Sequence, residues 1–349
     1  MQKRIEAFIK LGHFLSQFSN HKIEKKDTIE FNDLFFDGFR HQVKIATENN
    51  SWFTNENIFS ALTNWSKALT EKNLSQWLKN YQFTTSNKRV AIVMAGNIPL
   101  VGFHDFLSVV IAGHNVVVKQ SSNDKHLLPF LAKYLEYVAP EIKGTIEFTD
   151  KKLSNFDAVI ATGSTNTARY FEYYFKNKPS IIRKSRNSVA VLTGNETEDQ
   201  LKALGDDVFQ YFGLGCRSVS KLFVPKNYQF DDFFKGMFHK RDIINNIKYA
   251  NNYDYNKAVY LMSEFDILEN GFLMIKEDSS YASPIASVFY EYYTDISEIK
   301  EKIVTDKDKI QCVISQGLLE DEVDFGESQN PQLWDYADGI NTLDFLVKI

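Results

Sequence analysis

Between residues 90 and 161 short apolar runs alternate with longer amphipathic stretches, and few architectures accept that alternation. Val90-Ala91-Ile92-Val93-Met94 is too short for a typical helix and lacks the polar alternation of a half-exposed strand. It ends at once in Ala95-Gly96-Asn97, so it reads as a parallel strand, buried on both faces, entering a tight turn. Pro99 suits the first turn of a helix running through Phe103, Phe106, Leu107 and Val110 to a stop near Gly113. A second strand, Asn115 to Lys119, leads into polar Gln120-Ser121-Ser122-Asn123-Asp124 and a helix from about His126 to Val138. Further strands fit Thr145 to Phe148 and Ala158 to Ala161. The latter closes in Thr162-Gly163-Ser164-Thr165 before a helix near Ala168 to Phe175. This order calls for a parallel sheet with helices on both faces. Ligands of such sheets bind beyond the carboxyl ends of the strands. Three polar or glycine-containing turns fall there: Gly96-Asn97, Lys119 to Ser122, and Thr162 to Ser164. The G-x-G-x-x-G dinucleotide fingerprint is missing.

The flanking regions have their own character. Residues 1 to about 85 place Ile5, Phe8, Leu11 and Leu15, then Trp65, Leu69, Leu74 and Leu78, at helical spacing. A second α/β segment runs from Ser188 to about Gly326, with strands expected at 189–192, 221–224, 286–290 and 310–314. The tail from Asp335 ends in a strand-like stretch, Leu343 to Ile349, expected to dock on a sheet. A chain of 349 residues exceeds one ordinary core, and 29 Phe with 17 Tyr make its interior aromatic. The net charge of −5 is spread without a basic block, which speaks against nucleic acid as a partner. Met1 to Phe18 mixes charged and apolar residues unlike a signal peptide, and no run is long enough to span a bilayer. Two distant cysteines suggest neither a disulfide framework nor a metal site. The expectation is a cytoplasmic enzyme without a metal.

One of those cysteines, Cys216, sits in Phe212-Gly213-Leu214-Gly215-Cys216-Arg217-Ser218. A thiolate is a strong nucleophile near neutral pH, and an adjacent cation favours it. Small neighbours let a carbonyl reach the sulfur and leave backbone N–H groups to hold an oxyanion. The same residue also reads as a small buried apolar side chain. Cys312, in Ile310-Gln311-Cys312-Val313-Ile314, reads as strand packing, and His104 as a satisfied helix-face histidine.

These turns, taken together, resemble the aldehyde dehydrogenase superfamily and, within it, the LuxC-like acyl-CoA reductases (the fatty-acid reductase subunit of bacterial bioluminescence and its relatives). Gly96-Asn97-Ile98-Pro99 is similar to the superfamily's W-N-F-P turn. Ala112 to Lys119 is similar to its A-G-N-x-x-V-x-K strand, and Thr162 to Thr165 to its T-G-S-T turn. Gly213 to Val224 is similar to its nucleophile segment, and the order of the four motifs agrees. The resemblance implies an α/β, aldehyde dehydrogenase-like fold: a Rossmann-type cofactor domain with a helical N-terminal segment, plus a second α/β catalytic domain. The expected boundaries are 1–187 for the helices and nicotinamide-cofactor domain, 188–330 for the thioester domain and 331–349 for the tail. By the same resemblance Cys216 is the nucleophile and Asn97 donates its side-chain N–H to the oxyanion. Lys119 meets the adenosine ribose, Ser121 and Ser122 a 2′-phosphate, and Gly163, Ser164 and Thr165 the pyrophosphate or nicotinamide.

Departures from the family pattern narrow the chemistry. The glutamate that activates water in hydrolytic relatives would fall near Ile182, and Ser180 to Lys184 holds no carboxylate. That favours an acylating enzyme, which passes its acyl group to a thiol rather than to water. Arg183, Lys184 and Arg186 are candidates for phosphates of coenzyme A or NADPH, or for a solvated turn. Ser280, in Ser279 to Pro284, stands where a ribose-holding glutamate is usual. Asn251 to Asn256 reads as a ligand-entrance lining or a surface turn. The expected activity is reduction of acyl-CoA, or an acyl-carrier thioester, to an aldehyde through acyl-Cys216. NADPH is the expected cofactor, with NADH as the alternative, and coenzyme A the expected thioester carrier. An acyl-transferring or acyl-activating partner enzyme is implied, and homo-oligomerisation is left open. The competing expectations are a hydrolytic aldehyde dehydrogenase, a semialdehyde or acyl-phosphate reductase, and a non-catalytic acyl-carrier-binding homologue.

Overall fold

The computed structural model describes residues 1–19, 22–83 and 87–349, and divides them into two compact units. The first unit is Met1–Lys184 with Gln332–Ile349, and the second is Ser185–Pro331. In the first, α1 (Gln2–Leu15), α2 (Asn32–Asn49), α3 (Asn55–Ala68) and α4 (Glu71–Leu78) precede the sheet, in line with the helical spacing. Residues 84 and 85, at the end of the expected helical region, lie outside the described residues. The sheet then builds from β1 (Arg89–Val93), α5 (Phe103–Ala112), β2 (Asn115–Lys119), α6 (Leu127–Val138), β3 (Ile146–Thr149) and β4 (Ala158–Thr162). It closes with α7 (Thr165–Phe175) and β5 (Ser180–Arg183).

All five strands are parallel, in the order β3-β2-β1-β4-β5. Alternate residues serve opposite faces, as the two-residue repeat of a strand demands. Val90, Ile92, Val116, Val118 and Ile160 join the core made with α1, α5 and α6. Ala91, Val117, Val159 and Ala161 pack with Phe171 and Phe175 of α7. Burial on both faces is why these strands read as unbroken apolar runs.

In the second unit β6 (Asn187–Val191), α8 (Glu198–Phe209) and β7 (Val219–Pro225) are followed by α9 (Asp231–Met237) and α10 (Ile247–Met262). Then come β8 (Ile267–Glu269), β9 (Met274–Glu277), β10 (Ser287–Tyr293), α11 (Ile296–Thr305) and β11 (Ile310–Ile314). The sheet order is β11-β6-β7-β10-β9-β8, parallel except for the β8–β9 pair. A capping box of Thr197 and Gln200 starts α8, each residue satisfying a backbone N–H of the other.

Four expectations are corrected. The helix after β1 starts at Phe103 rather than at Pro99, because Leu100 adopts a left-handed conformation (φ 57°) that no helix continues through. The tail is not a strand: Thr342–Lys348 forms α12, with Asn341 accepting the Asp344 N–H as its cap and Leu343 and Leu346 buried. It packs against α5. Arg183, weighed with Lys184 and Arg186 as part of a solvated turn, lies instead in the edge strand β5. Asn251 to Asn256 is no surface turn but the middle of α10, where Tyr253 and Asn256 are buried.

Candidate active site

In the first unit, Val93 at the end of β1 pairs with Lys119 on one side and lies opposite Ala161 of β4. The three turns foreseen in the sequence therefore leave the sheet from adjacent strands at one edge. The strand order reverses at β1, with β2 on one side and β4, reached from β3, on the other, the kind of switch point beyond which ligands of such sheets bind. The first two turns are packed together. A Cβ on Gly96 would lie 2.5 Å from Ser121 Oγ, so only glycine permits this approach. Ser121 Oγ accepts the Asn123 N–H, Lys119 Nζ donates to the Lys151 carbonyl (3.2 Å), and Asn97 and Ser122 are exposed. In the third turn Ser164 caps α7 by accepting the Thr167 N–H. Ser164 and Thr165 are exposed at the positive end of that helix.

Asp124 carries no signal in the sequence beyond its place in a polar turn. Its Oδ2 accepts the N–H of left-handed Leu100 at 2.8 Å, so it ties the turn bearing Asn97 to the turn after β2. Its Oδ1 is buried without a hydrogen-bond partner among the described residues, and burial pushes the carboxyl up to about 6.

The cationic run takes no common role. Arg183 is 5% exposed and binds Asp105 through both carboxylate oxygens (2.8 and 3.3 Å), the Ala337 carbonyl and Thr342 Oγ1. It holds β5, α5 and the tail together, so neither a phosphate contact nor a solvated turn describes it. Burial alone would raise the Asp105 carboxyl, but the Arg183 guanidinium outweighs it and holds it below the usual range. Lys184 pairs with Glu172, and Arg186 donates to the carbonyls of Lys307 and Ile310. His104 Nε2 lies 2.8 Å from the Leu333 carbonyl, and burial holds its pKa down, as a satisfied helix-face histidine requires.

In the second unit Cys216 is an exposed thiol. Tyr211, Phe212 and Gly213 before it are consecutively left-handed (φ 55°, 58° and 71°), which is unfavourable at the two non-glycine residues. The buried rings of Tyr211 and Phe212 oppose that strain. Beyond the thiol, the Ser218 N–H bonds the Gly215 carbonyl, so Cys216 and Arg217 occupy the centre of a turn. Ser188 Oγ donates to the Cys216 carbonyl at 3.0 Å and also touches Cys312 Sγ. Cys312 is thus part of a polar contact and only half-buried, not simple packing.

Ser279 and Ser280 are exposed after β9, and Asp278 Oδ1 accepts the Ser280 N–H. Burial would raise Asp278, but Lys276 and the Ser280 amide bring it to about 2. The buried Lys221 donates to the Asp278 carbonyl and to Glu291, bracing the same turn from below.

The sequence profile of the acyl-CoA reductase (LuxC) family matches residues 19–286. No curated protein sequence matches the chain. Among solved structures, aldehyde dehydrogenase 21 from Physcomitrella patens, in complex with its product succinate, superimposes with a TM-score of 0.68 at 11% identity. It covers 99% of this chain and 83% of that one. An NAD-dependent aldehyde dehydrogenase from Sinorhizobium meliloti gives a TM-score of 0.62 at 12% identity over 89% of this chain and 69% of that one. The aldehyde dehydrogenase KauB from Pseudomonas aeruginosa gives 0.61 at 13% identity, over 89% and 71%. The fold is aldehyde dehydrogenase-like, as the motifs implied.

Proposed function

The chain belongs to the acyl-CoA reductase (LuxC) family, and we propose that it reduces an acyl thioester, acyl-CoA, to an aldehyde with NADPH. The observation that carries this reading is an exposed thiol at the centre of a glycine-bearing turn, in a chain with no carboxylate from Ser180 to Lys184. In this reading the first unit binds the nicotinamide cofactor and the second handles the thioester. The residues of the first unit suit a dinucleotide: three turns at one sheet edge, a close approach at Gly96 and the exposed N-terminus of α7. Lys119, Ser121 and Ser122 would hold the adenosine end, with Gly163, Ser164 and Thr165 at the pyrophosphate or nicotinamide.

Cys216 attacks the thioester carbonyl as a thiolate, and a carbon–sulfur bond forms. The oxygen that becomes negative would be held by the Cys216 backbone N–H and, as the resemblance to the family assigns it, by the side-chain N–H of Asn97. The bond to coenzyme A breaks, its thiol leaves with a proton, and the acyl group stays on Cys216. NADPH, when bound, supplies the hydride that reduces this acyl carbon. Cys216 then leaves as the aldehyde forms. With no carboxylate from Ser180 to Lys184, where hydrolytic relatives would carry the residue that activates water, the acyl group on Cys216 would be kept from hydrolysis in the meantime. A cytoplasmic location and a partner enzyme that supplies or activates the acyl group belong to the same reading.

Incubation with acyl-CoA and no NADPH, followed by mass spectrometry, tests it. The expected result is one acyl adduct on Cys216, absent from Cys216→Ala. Undiminished labelling of that variant would overturn the scheme, and release of free acid instead of aldehyde would point to a hydrolytic dehydrogenase.

A further inference from the structure

We infer that Asp207 is a positioning residue: through segment 326–329 it holds Arg217 and Ser218, the two residues after Cys216, and so fixes how the thiol is presented. The inference rests on Cys216 being the nucleophile.

Asp207 lies in the last turn of α8 and is fully buried. A carboxylate there faces the negative end of its own helix and has lost its water, two reasons for an apolar residue instead. Burial pushes it up to about 6, against the amides of Gly326 and Ser328, so it is ionised at neutral pH. Its two oxygens have separate tasks. Oδ2 accepts the Gly326 N–H at 2.7 Å, and Oδ1 accepts the Ser328 N–H at 2.9 Å. The segment so caught turns back to the nucleophile. The Ser328 carbonyl accepts from Arg217 Nε, and Gln329 Nε2 donates to Ser218 Oγ at 3.3 Å. Ser218 Oγ in turn reaches the Gln210 carbonyl.

A closed ring results. One side is the main chain from 207 to 217, which includes the left-handed residues Tyr211, Phe212 and Gly213. The other is segment 326–329, joined to the first by the Asp207 carboxylate at one end and, at the other, by Arg217 with the longer Gln329–Ser218 contact beside it. Left-handed backbone at tyrosine and phenylalanine persists only where the surroundings over-determine it. With either end of the ring released, residues 211–218 relax towards ordinary backbone and the thiol leaves its attacking position.

Asp207→Asn retains one acceptor but turns an NH2 group against the second amide. Arg217→Met cuts the opposite end at a half-buried residue and leaves the buried carboxylate untouched. Single-turnover acylation of Cys216 by an acyl-CoA is measured in the full-length protein, with amide hydrogen exchange over 210–218. Each variant is expected to acylate about 30-fold more slowly at saturating thioester, as a small misplacement of a reacting group costs. The half-saturation concentration stays within about threefold of wild type, since a misplaced thiol affects the chemical step and not ground-state binding. Exchange rises at 214–218. The double variant is no slower than the slower single one, because either change opens the same ring. Wild-type rates and exchange in the single variants, or effects that multiply in the double, would overturn the inference. If Asp207→Asn does not fold, Arg217→Met alone decides it by the same measurements. If wild-type Cys216 takes no acyl group at all, the proposed function fails. The ring is then judged by hydrogen exchange and by the rate at which iodoacetamide alkylates Cys216.

Discussion

The turn that carries Asn97 and the segment that carries Cys216 solve one mechanical problem on different scales. Each contains left-handed residues other than glycine, and each is anchored by a buried aspartate. In the first, a single strained residue, Leu100, is held by one oxygen of Asp124, whose other oxygen has no hydrogen-bond partner among the described residues. In the second, two consecutive strained residues, Tyr211 and Phe212, stand before the thiol, and Asp207 engages both of its oxygens. Anchoring rises with strain, and the more heavily strained segment is the one proposed to carry the reacting atom.

The largest test of this contrast is Tyr211→Gly. Glycine relieves the left-handed backbone but deletes a buried ring, and packing outweighs strain, so about 3 kcal/mol of stability is lost. A chemical-denaturation midpoint at or above wild type would show that the ring does not hold the segment. The two aspartates should then respond in opposite directions. Asp207→Asn leaves a buried N–H facing a donor and loses about 2 kcal/mol. Asp124→Asn keeps an oxygen for the Leu100 N–H while removing a buried charge, and gains about 1 kcal/mol at neutral pH. Equal losses in both would erase the distinction drawn between one working oxygen and two.

The smallest effect is in the pH dependence. Asp124 and Asp207 titrate near 6 in the folded protein against 3.8 ordinarily, so the folded state binds their protons more tightly. Their contribution therefore grows as pH falls from about 7 to about 4. Asp278, brought to about 2, and Asp105, held low by Arg183, act in the other sense. They stabilise above the ordinary carboxylate range, and that stability is lost as pH falls towards 2. Urea unfolding across this range should show greatest stability near pH 4 to 5, and Asp124→Asn should flatten the limb above pH 5. A stability that falls steadily from pH 7 to pH 4 would contradict the raised pair.

Much of the first sheet was legible because a strand buried on both faces has to be apolar throughout. Val116-Val117-Val118 and Ala158 to Ala161 leave little alternative between turns. The tail misleads for a related reason. Leu343, Phe345, Leu346 and Val347 are apolar enough for a strand, yet Leu343 and Leu346 are three apart and share one helix face. Only the capping Asn341 hinted at the helix. Arg183 could not be read at all, since its partner Asp105 lies 78 residues earlier. Asp207 and segment 326–329 are likewise more than a hundred residues apart.

From its residues alone this chain declared an alternating α/β fold, the order of its turns, its family resemblance and an unusual cysteine, because periodicity and short motifs are local properties of a polymer. Which carboxylates are buried, which cations are spent on structure rather than held out to solvent, and what grips the cysteine's turn were decided only when distant segments met. Desolvation and hydrogen bonding depend on neighbours in space, and chain order does not specify those neighbours.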